Sequence, residues 1–224
     1  MSSPAGGIAQ ADPGVKASLV AGAAELGLDL STRQVETLLA FVALLLRWSS
    51  TYNLTAIREP REVVTHHLLD CLAVVLPLRR ELTGATDKRL LDVGSGAGLP
   101  GLVIAIAEPA LQVVCVDSVG KKAAFISQAA STLGLSNVQA VHARVEKLAS
   151  PLFDVIASRA FASLAAFVSA SEPHLHEGGL WMAMKGKSPD DEIQALQRLF
   201  DCRTETLQVP HLAAERCLVW MRKR

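Results

Sequence analysis

The chain has 224 residues, half of them apolar and only 4% aromatic, so its core must rest on Ala, Leu and Val, as suits a helix-rich α/β protein with one main domain and an N-terminal addition. Lys and Arg balance Asp and Glu to a formal net charge of zero, which argues against a nucleic-acid binder working by bulk charge and leaves local basic patches as its electrostatic route. Cys71, Cys115, Cys202 and Cys217 lack CxxC spacing and no secretory signal opens the chain, so disulfides and structural zinc are not expected and a reducing cytoplasm is.

Residues 1–14, rich in Gly, Ala, Ser and Pro, are expected to lack fixed structure. Residues 15–84 read as a helical cap. Ser31 and Gln34 form a capping box, and Val35, Leu38, Leu39, Val42, Leu45 and Leu46 recur at helix spacing, predicting a helix to about Trp48. Its uncharged stretch between Glu36 and Arg47 is too short to cross a bilayer. Pro60 opens a second helix with Val63, Val64, Leu68, Leu72 and Val75 in phase, ended near Pro77.

From 85 to 224 short apolar runs alternate with amphipathic helices, the pattern of a Rossmann-like, mostly parallel sheet covered on both faces. Strands are predicted at 89–93, 111–116, 137–142, 153–157 and 179–184, with helices at 99–108, 119–133, 163–174 and 189–200. Two β-like segments, 203–209 and 216–222, separated by Pro210 and a short loop, close the chain, and a final antiparallel strand is expected. Trp48, Trp181 and Trp220 fall in apolar periodic segments and are read as core.

The run from Leu90 to Gly101 is a buried strand entering a glycine-rich turn and a helix start, the form that cradles a nucleotide-like cofactor. Glycines at 94, 96 and 98 keep side chains out of a ligand's way and permit positive φ. Gly96, Gly98 and Gly101 also fit GxGxxG, with Asp117 placed 21 residues after Gly96, so a dinucleotide site fits the spacing too. Asp92 inside the preceding strand, a turn that begins at Gly94, and the two terminal strands fit a class I S-adenosylmethionine-dependent methyltransferase better. An acid at 117 suits a ribose diol, because a carboxylate accepts two charge-assisted hydrogen bonds.

Ligands of open α/β sheets sit beyond the carboxyl ends of the strands. There the sequence places Asp117-Ser118, Arg144-Val145-Glu146, Ser158-Arg159 and Lys185-Gly186-Lys187. Lys121, Lys122, Arg144, Lys185 and Lys187 are candidate phosphate contacts, although a solvated face explains any one of them. Phe161, beside Arg159, is a candidate for base stacking, with packing under its loop as the alternative. His66 and Asp70 share a helix face, but without a further ligand cluster no metal is expected.

Asp92-Val93-Gly94-Ser95-Gly96-Ala97-Gly98-Leu99-Pro100-Gly101, Asp117-Ser118, Arg144-Val145-Glu146, Ser158-Arg159-Ala160 and Met184-Lys185-Gly186, with Tyr52-Asn53-Leu54-Thr55 and His67-Leu68-Leu69-Asp70 upstream, resemble the bacterial small-subunit ribosomal RNA guanine-N7 methyltransferases, also called glucose-inhibited division protein B. The resemblance implies S-adenosyl-L-methionine as cofactor, S-adenosyl-L-homocysteine as product, and 16S ribosomal RNA or the small ribosomal subunit as partner, for a cytoplasmic monomer without membrane or metal attachment. It places Gly94, Ser95, Gly96, Gly98, Leu99, Asp117, Ser118, Val119, Val145, Glu146 and Arg159 around the cofactor. Ser49 stands where that family usually has Asn, and Cys71 where it usually has Ser.

Guanine N7 carries an in-plane lone pair and no proton, so no catalytic base is required, and none is assigned. The exocyclic-amine sequence Asn/Asp-Pro-Pro-Tyr/Phe is replaced after the fourth strand by Ser158-Arg159-Ala160-Phe161. Arg159 and Lys185 are candidate substrate contacts, and Arg159 serves equally as a cofactor contact or a structural ion pair. The residues alone also leave room for a small-molecule methyltransferase with the helical cap as a lid, and for a Rossmann-like regulator without turnover.

Overall fold

The computed structural model describes residues 12–83, 87–159 and 161–224. Helix α1 (Pro13–Glu25) starts inside the segment expected to be unstructured, because the Asp12 carboxylate accepts the Gly14 N–H at 2.7 Å and Pro13 needs no partner at the first helical position. The rest of that expectation, residues 1–11, lies outside the described residues, as does the 84–86 boundary.

Helix α2 (Thr32–Tyr52) carries the predicted capping box and continues past Trp48 until Asn53 turns left-handed at φ 52°. The second predicted helix is in fact broken. It runs as α3 (Pro60–Val63), a π-helical turn (Val64–Leu69) and α4 (Asp70–Leu72), followed by a separate α5 (Val75–Glu81). Pro77 therefore sits in the first turn of α5 rather than at an end, where its missing N–H leaves no carbonyl unpaired.

The described residues form one seven-stranded sheet in the order β3-β2-β1-β4-β5-β7-β6. Strands β1 (Arg89–Val93), β2 (Gln112–Asp117), β3 (Val138–His142), β4 (Phe153–Ser158) and β5 (Leu175–Lys185) are parallel, and β7 (Arg216–Lys223) runs antiparallel to β5 and to β6 (Phe200–Leu207). Helices α6 (Gly101–Ala107), α7 (Gly120–Leu133), α8 (Leu164–Ser171) and α9 (Asp190–Leu196) supply the crossovers. Strand order reverses between β1 and β4, which opens a crevice at their carboxyl ends. Two predicted helices end early: α8 tightens into a 3-10 turn at Glu172–His174, and β6 begins at Phe200.

Alternation along the buried strands feeds both faces. Leu90, Val113 and Cys115 join a core with α2, α6 and α7, while Leu91, Val114 and Val116 join Phe153, Phe167 and Trp181 on the other side. The first of these cores also takes in Val15, Leu38, Leu68 and Leu78, so the helical segment shares apolar packing with the sheet. Trp181 and Trp220 are buried as expected, whereas Trp48 is only half-buried.

Side-chain amides set the direction of α2. Gln34 Nε2 donates to the Ile106 and Ala107 carbonyls at 3.1 and 2.9 Å, and Asn137 Nδ2 donates to those of Ala105 and Leu111 at 3.0 Å, so the orphan carbonyls ending α6 are met from two sides. With its start fixed there, α2 runs antiparallel to α6 and delivers Tyr52 to the carboxyl edge of the sheet.

Candidate active site at the strand ends

The glycine turn is held open from below. Gly94, Gly96 and Gly98 all adopt positive φ (69°, 58° and 78°). A Cβ at Gly94 would meet nothing within 4 Å and one at Gly96 only the Gly94 carbonyl, so the turn shows bare backbone to open space. Gly101 is glycine for another reason: a Cβ there would stand 2.5 Å from Cys115 Sγ and 2.8 Å from Asp92 Oδ2.

Two carboxylates brace the turn. Asp117 is nearly buried, its Oδ2 accepting the Gly96 N–H at 2.9 Å and its Oδ1 accepting the Val119 N–H at 2.8 Å, with Lys122 Nζ at 4.0 Å. Asp92 is fully buried; one oxygen accepts the Gly101 N–H at 3.0 Å and the other has no hydrogen-bond partner. Burial pushes its carboxyl up to about 6, against the pull of that N–H.

Of the residues expected around a cofactor, Gly94, Gly96, Asp117, Ser118 and Val119 come together at the mouth of this turn, with Val119 exposed. Ser95 and Leu99 turn inward: the Ser95 hydroxyl donates to the Asp92 carbonyl at 2.8 Å, and Leu99 belongs to the core. Gly98 packs against Leu102. After β3, Val145 is buried with its carbonyl on His174 Nε2 at 2.7 Å, and Glu146 is exposed.

Beside the turn, after β4 and β5, lies a cavity of about 420 Å³ lined among others by Ile57, His66, Asp70, Arg159, Lys185 and Arg216. Its centre is the buried Asp70 carboxylate, which takes Arg216 Nε at 2.8 Å on one oxygen and Arg159 Nη1 at 3.5 Å on the other. Arg159 is therefore in a structural ion pair that ties the helical segment to the sheet. Lys185 pairs with Glu192 of α9 at 3.3 Å. His67 stays neutral near pH 7, held at about 4 by burial and by Arg159; its Nε2 meets the Thr55 hydroxyl at 2.8 Å and its Nδ1 the His66 carbonyl at 3.0 Å. The Cys71 thiol, buried beneath, is pushed far up by desolvation.

Arg216 and Glu192 are the members that the sequence does not single out, and Asp70, singled out there beside His66, is not paired there with either arginine. Arg216 had no signal because its partner Asp70 lies 146 positions away, and Glu192, seven positions from Lys185, had none because their meeting depends on the turn between β5 and α9. The five candidate phosphate contacts share the carboxyl edge but do not form one patch. Lys121 and Lys122 follow β2, Arg144 follows β3, and Lys185 and Lys187 follow β5, which at strand spacing puts the outermost roughly 19 Å apart. Phe161 is half-buried with its ring centroid 5.3 Å from that of Phe167, so it packs under its loop instead of offering a free face. Ala160 lies outside the described residues.

A family model described as rRNA small subunit methyltransferase G matches residues 34–219, from the capping box of α2 into β7. The chain belongs to that family. A "Ribosomal RNA small subunit methyltransferase G" from Paracidovorax citrulli (strain AAC00-1) is 55% identical over 221 residues, covering 94% of this chain and 90% of its own. A protein of the same description from Acidovorax ebreus (strain TPSY) is 57% identical over 209 residues, covering 90% and 92%. Among solved structures, the N-methyltransferase NodS from Bradyrhizobium japonicum WM9, in complex with S-adenosyl-L-homocysteine, superposes with a TM-score of 0.56 at 14% identity over 79% of this chain and 97% of its own. That likeness shows the fold, a class I methyltransferase with its final antiparallel strand. Among the described residues no helix is long and apolar enough to cross a membrane.

Proposed function

We propose that this enzyme methylates N7 of a guanine in small-subunit (16S) ribosomal RNA, with S-adenosyl-L-methionine as methyl donor, in the cytoplasm. The observation that carries the reading is a juxtaposition across the switch point. Strands β1 and β4 pair directly, Asp92 opposite Ala157, so the bare glycine turn and the cation-lined cavity open side by side. The residues present fit the cofactor. Gly94 and Gly96 leave room for its methionine half, each Asp117 oxygen keeps a lone pair for a ribose hydroxyl, and Val119 offers apolar surface to the adenine, near Val145 and Glu146.

When bound, S-adenosylmethionine supplies an electrophilic methyl group that the in-plane lone pair of N7 accepts without loss of a proton. The side chains around the cavity accordingly orient the base and shape the field, and none has to act as a base. Arg159, Arg216 and Lys185 offer donors to guanine O6 or a flanking phosphate. A base that becomes cationic on methylation is disfavoured by naked positive charge. Asp70 and Glu192, paired to those same cations, temper the field where the charge grows.

The test is incubation with methyl-labelled cofactor and small ribosomal subunits, or their RNA, from a strain lacking the gene, followed by digestion to nucleosides. Label in 7-methylguanosine supports the reading. Unlabelled RNA, or label in any other nucleoside, overturns it.

A further inference from the structure

Tyr52 is the only tyrosine of the chain, and its ring, at the carboxyl edge of the sheet, is 40% exposed. It is nevertheless fixed from behind. Its centroid lies 5.2 Å from that of Trp48, which lies 5.5 Å from that of the fully buried Phe125. Three rings thus run from core to surface and end in one open face. A ring already held in place loses little freedom when a second flat ring settles on it.

Basic side chains stand on the two elements next to it in the fold or the chain, α7 and the loop after α2. Lys121 and Lys122 lie one helical turn before Phe125 on the same stripe of α7, the helix whose ring carries Trp48, and Lys122 Nζ stands 4.0 Å from Asp117. In the loop that follows Tyr52, Arg58 is exposed, with its guanidinium held by the Thr55 carbonyl at 2.9 Å and the Asn53 side chain at 3.3 Å. The loop that carries Arg58 also carries Ile57 into the wall of the Asp70 cavity. The step from Tyr52 to Ile57 spans at most about 18 Å of chain, the reach of a few nucleotides.

A backed, open aromatic face with basic side chains on neighbouring elements is the chemistry that holds single-stranded nucleic acid, by base stacking together with phosphate contacts. We infer that Tyr52 stacks on a base flanking the guanine that enters the Asp70 cavity, and so fixes the strand on the enzyme; this rests on the RNA-methylation reading. Tyr52 is then a positioning residue for substrate and makes no contact with the cofactor.

The experiment compares wild type with Y52A, Y52F and Y52W in steady-state methylation of 16S RNA, and measures S-adenosylhomocysteine affinity by calorimetry for each. Removing one stacked base changes affinity about 5- to 150-fold, so Y52A should raise the KM for RNA by at least about fivefold while kcat at saturating RNA stays within about twofold. Y52F and Y52W should restore the KM, and cofactor affinity should be the same in all four proteins. An unchanged KM in Y52A, a KM that Phe and Trp fail to restore, or a parallel loss of S-adenosylhomocysteine affinity would each overturn the inference. Wild-type turnover separates the two levels: labelled RNA with an unmoved Y52A overturns stacking alone, and unlabelled RNA overturns both.

Discussion

Replacing Asp70 by Asn keeps the side chain's size and removes the charge shared by two arginines. The carboxylate is 4% exposed, whereas Arg159 and Arg216 are 27% and 26% exposed. In D70N an amide nitrogen must face one of the guanidinium groups, donor against donor, and two like charges remain close together without their counter-ion. Breaking a fully buried pair costs about 3–5 kcal/mol; here the guanidinium groups recover some hydration, so we expect a loss of about 2–3 kcal/mol. In a chain of this size that lowers Tm by about 5–10 °C. Urea and thermal unfolding of wild type, D70N, R216Q and the double variant close a double-mutant cycle. The 2.8 Å contact predicts a coupling of about 1–2 kcal/mol between Asp70 and Arg216. A D70N loss under about 0.5 kcal/mol, or a strictly additive cycle, would show that Asp70 does not hold the cavity together.

D117A should weaken S-adenosylhomocysteine binding at least about tenfold by calorimetry, since it removes the diol acceptor and frees the Gly96 and Val119 N–H groups together; wild-type affinity would refute the ribose role. Ser49, where the family pattern has Asn, buries its hydroxyl without a partner, so S49A should be neutral or more stable by up to about 1 kcal/mol in urea titration. Asp92 binds its proton more tightly folded, at about 6, than unfolded, at about 3.8, so it subtracts stability as pH rises through that window. D92N should lack this fall, gaining on wild type by about 2 kcal/mol between pH 4 and 7, and parallel pH profiles of the two proteins would refute it.

How much was legible in advance depended on how local the cause was. The capping box at Ser31 and Gln34, the buried strand through Leu90 and Leu91, and the positive φ of the three glycines are written within a few residues, and each appears as expected. The broken helix after Pro60 was not legible. Val63, Val64, Leu68 and Leu72 keep helical phase through the π turn, so periodicity alone does not reveal the extra residue. Phe161 and Arg159 share a related ambiguity: a polar-to-aromatic loop at a strand end reads the same whether its ring packs inward on Phe167 or faces a ligand.

The cavity shows the same limit from the side of the site. Asp70 meets Arg216 across 146 positions of sequence, and nothing near either residue marks the other. An aspartate beside two histidines on a helix reads as packing the cap or facing the substrate, and nothing local gives it an arginine partner. The arrival of β7 next to β5, with Arg216 at its first position, supplies that partner. That same arrival makes the two terminal strands more than a sheet edge, because they deliver a cation that closes one side of the cavity. The glycine turn is thus encoded in one short run of chain, as a shared cofactor allows. The proposed substrate cavity is assembled from the helical segment, the β4 and β5 loops and the last strand, so a change in any of them can alter it without disturbing the turn.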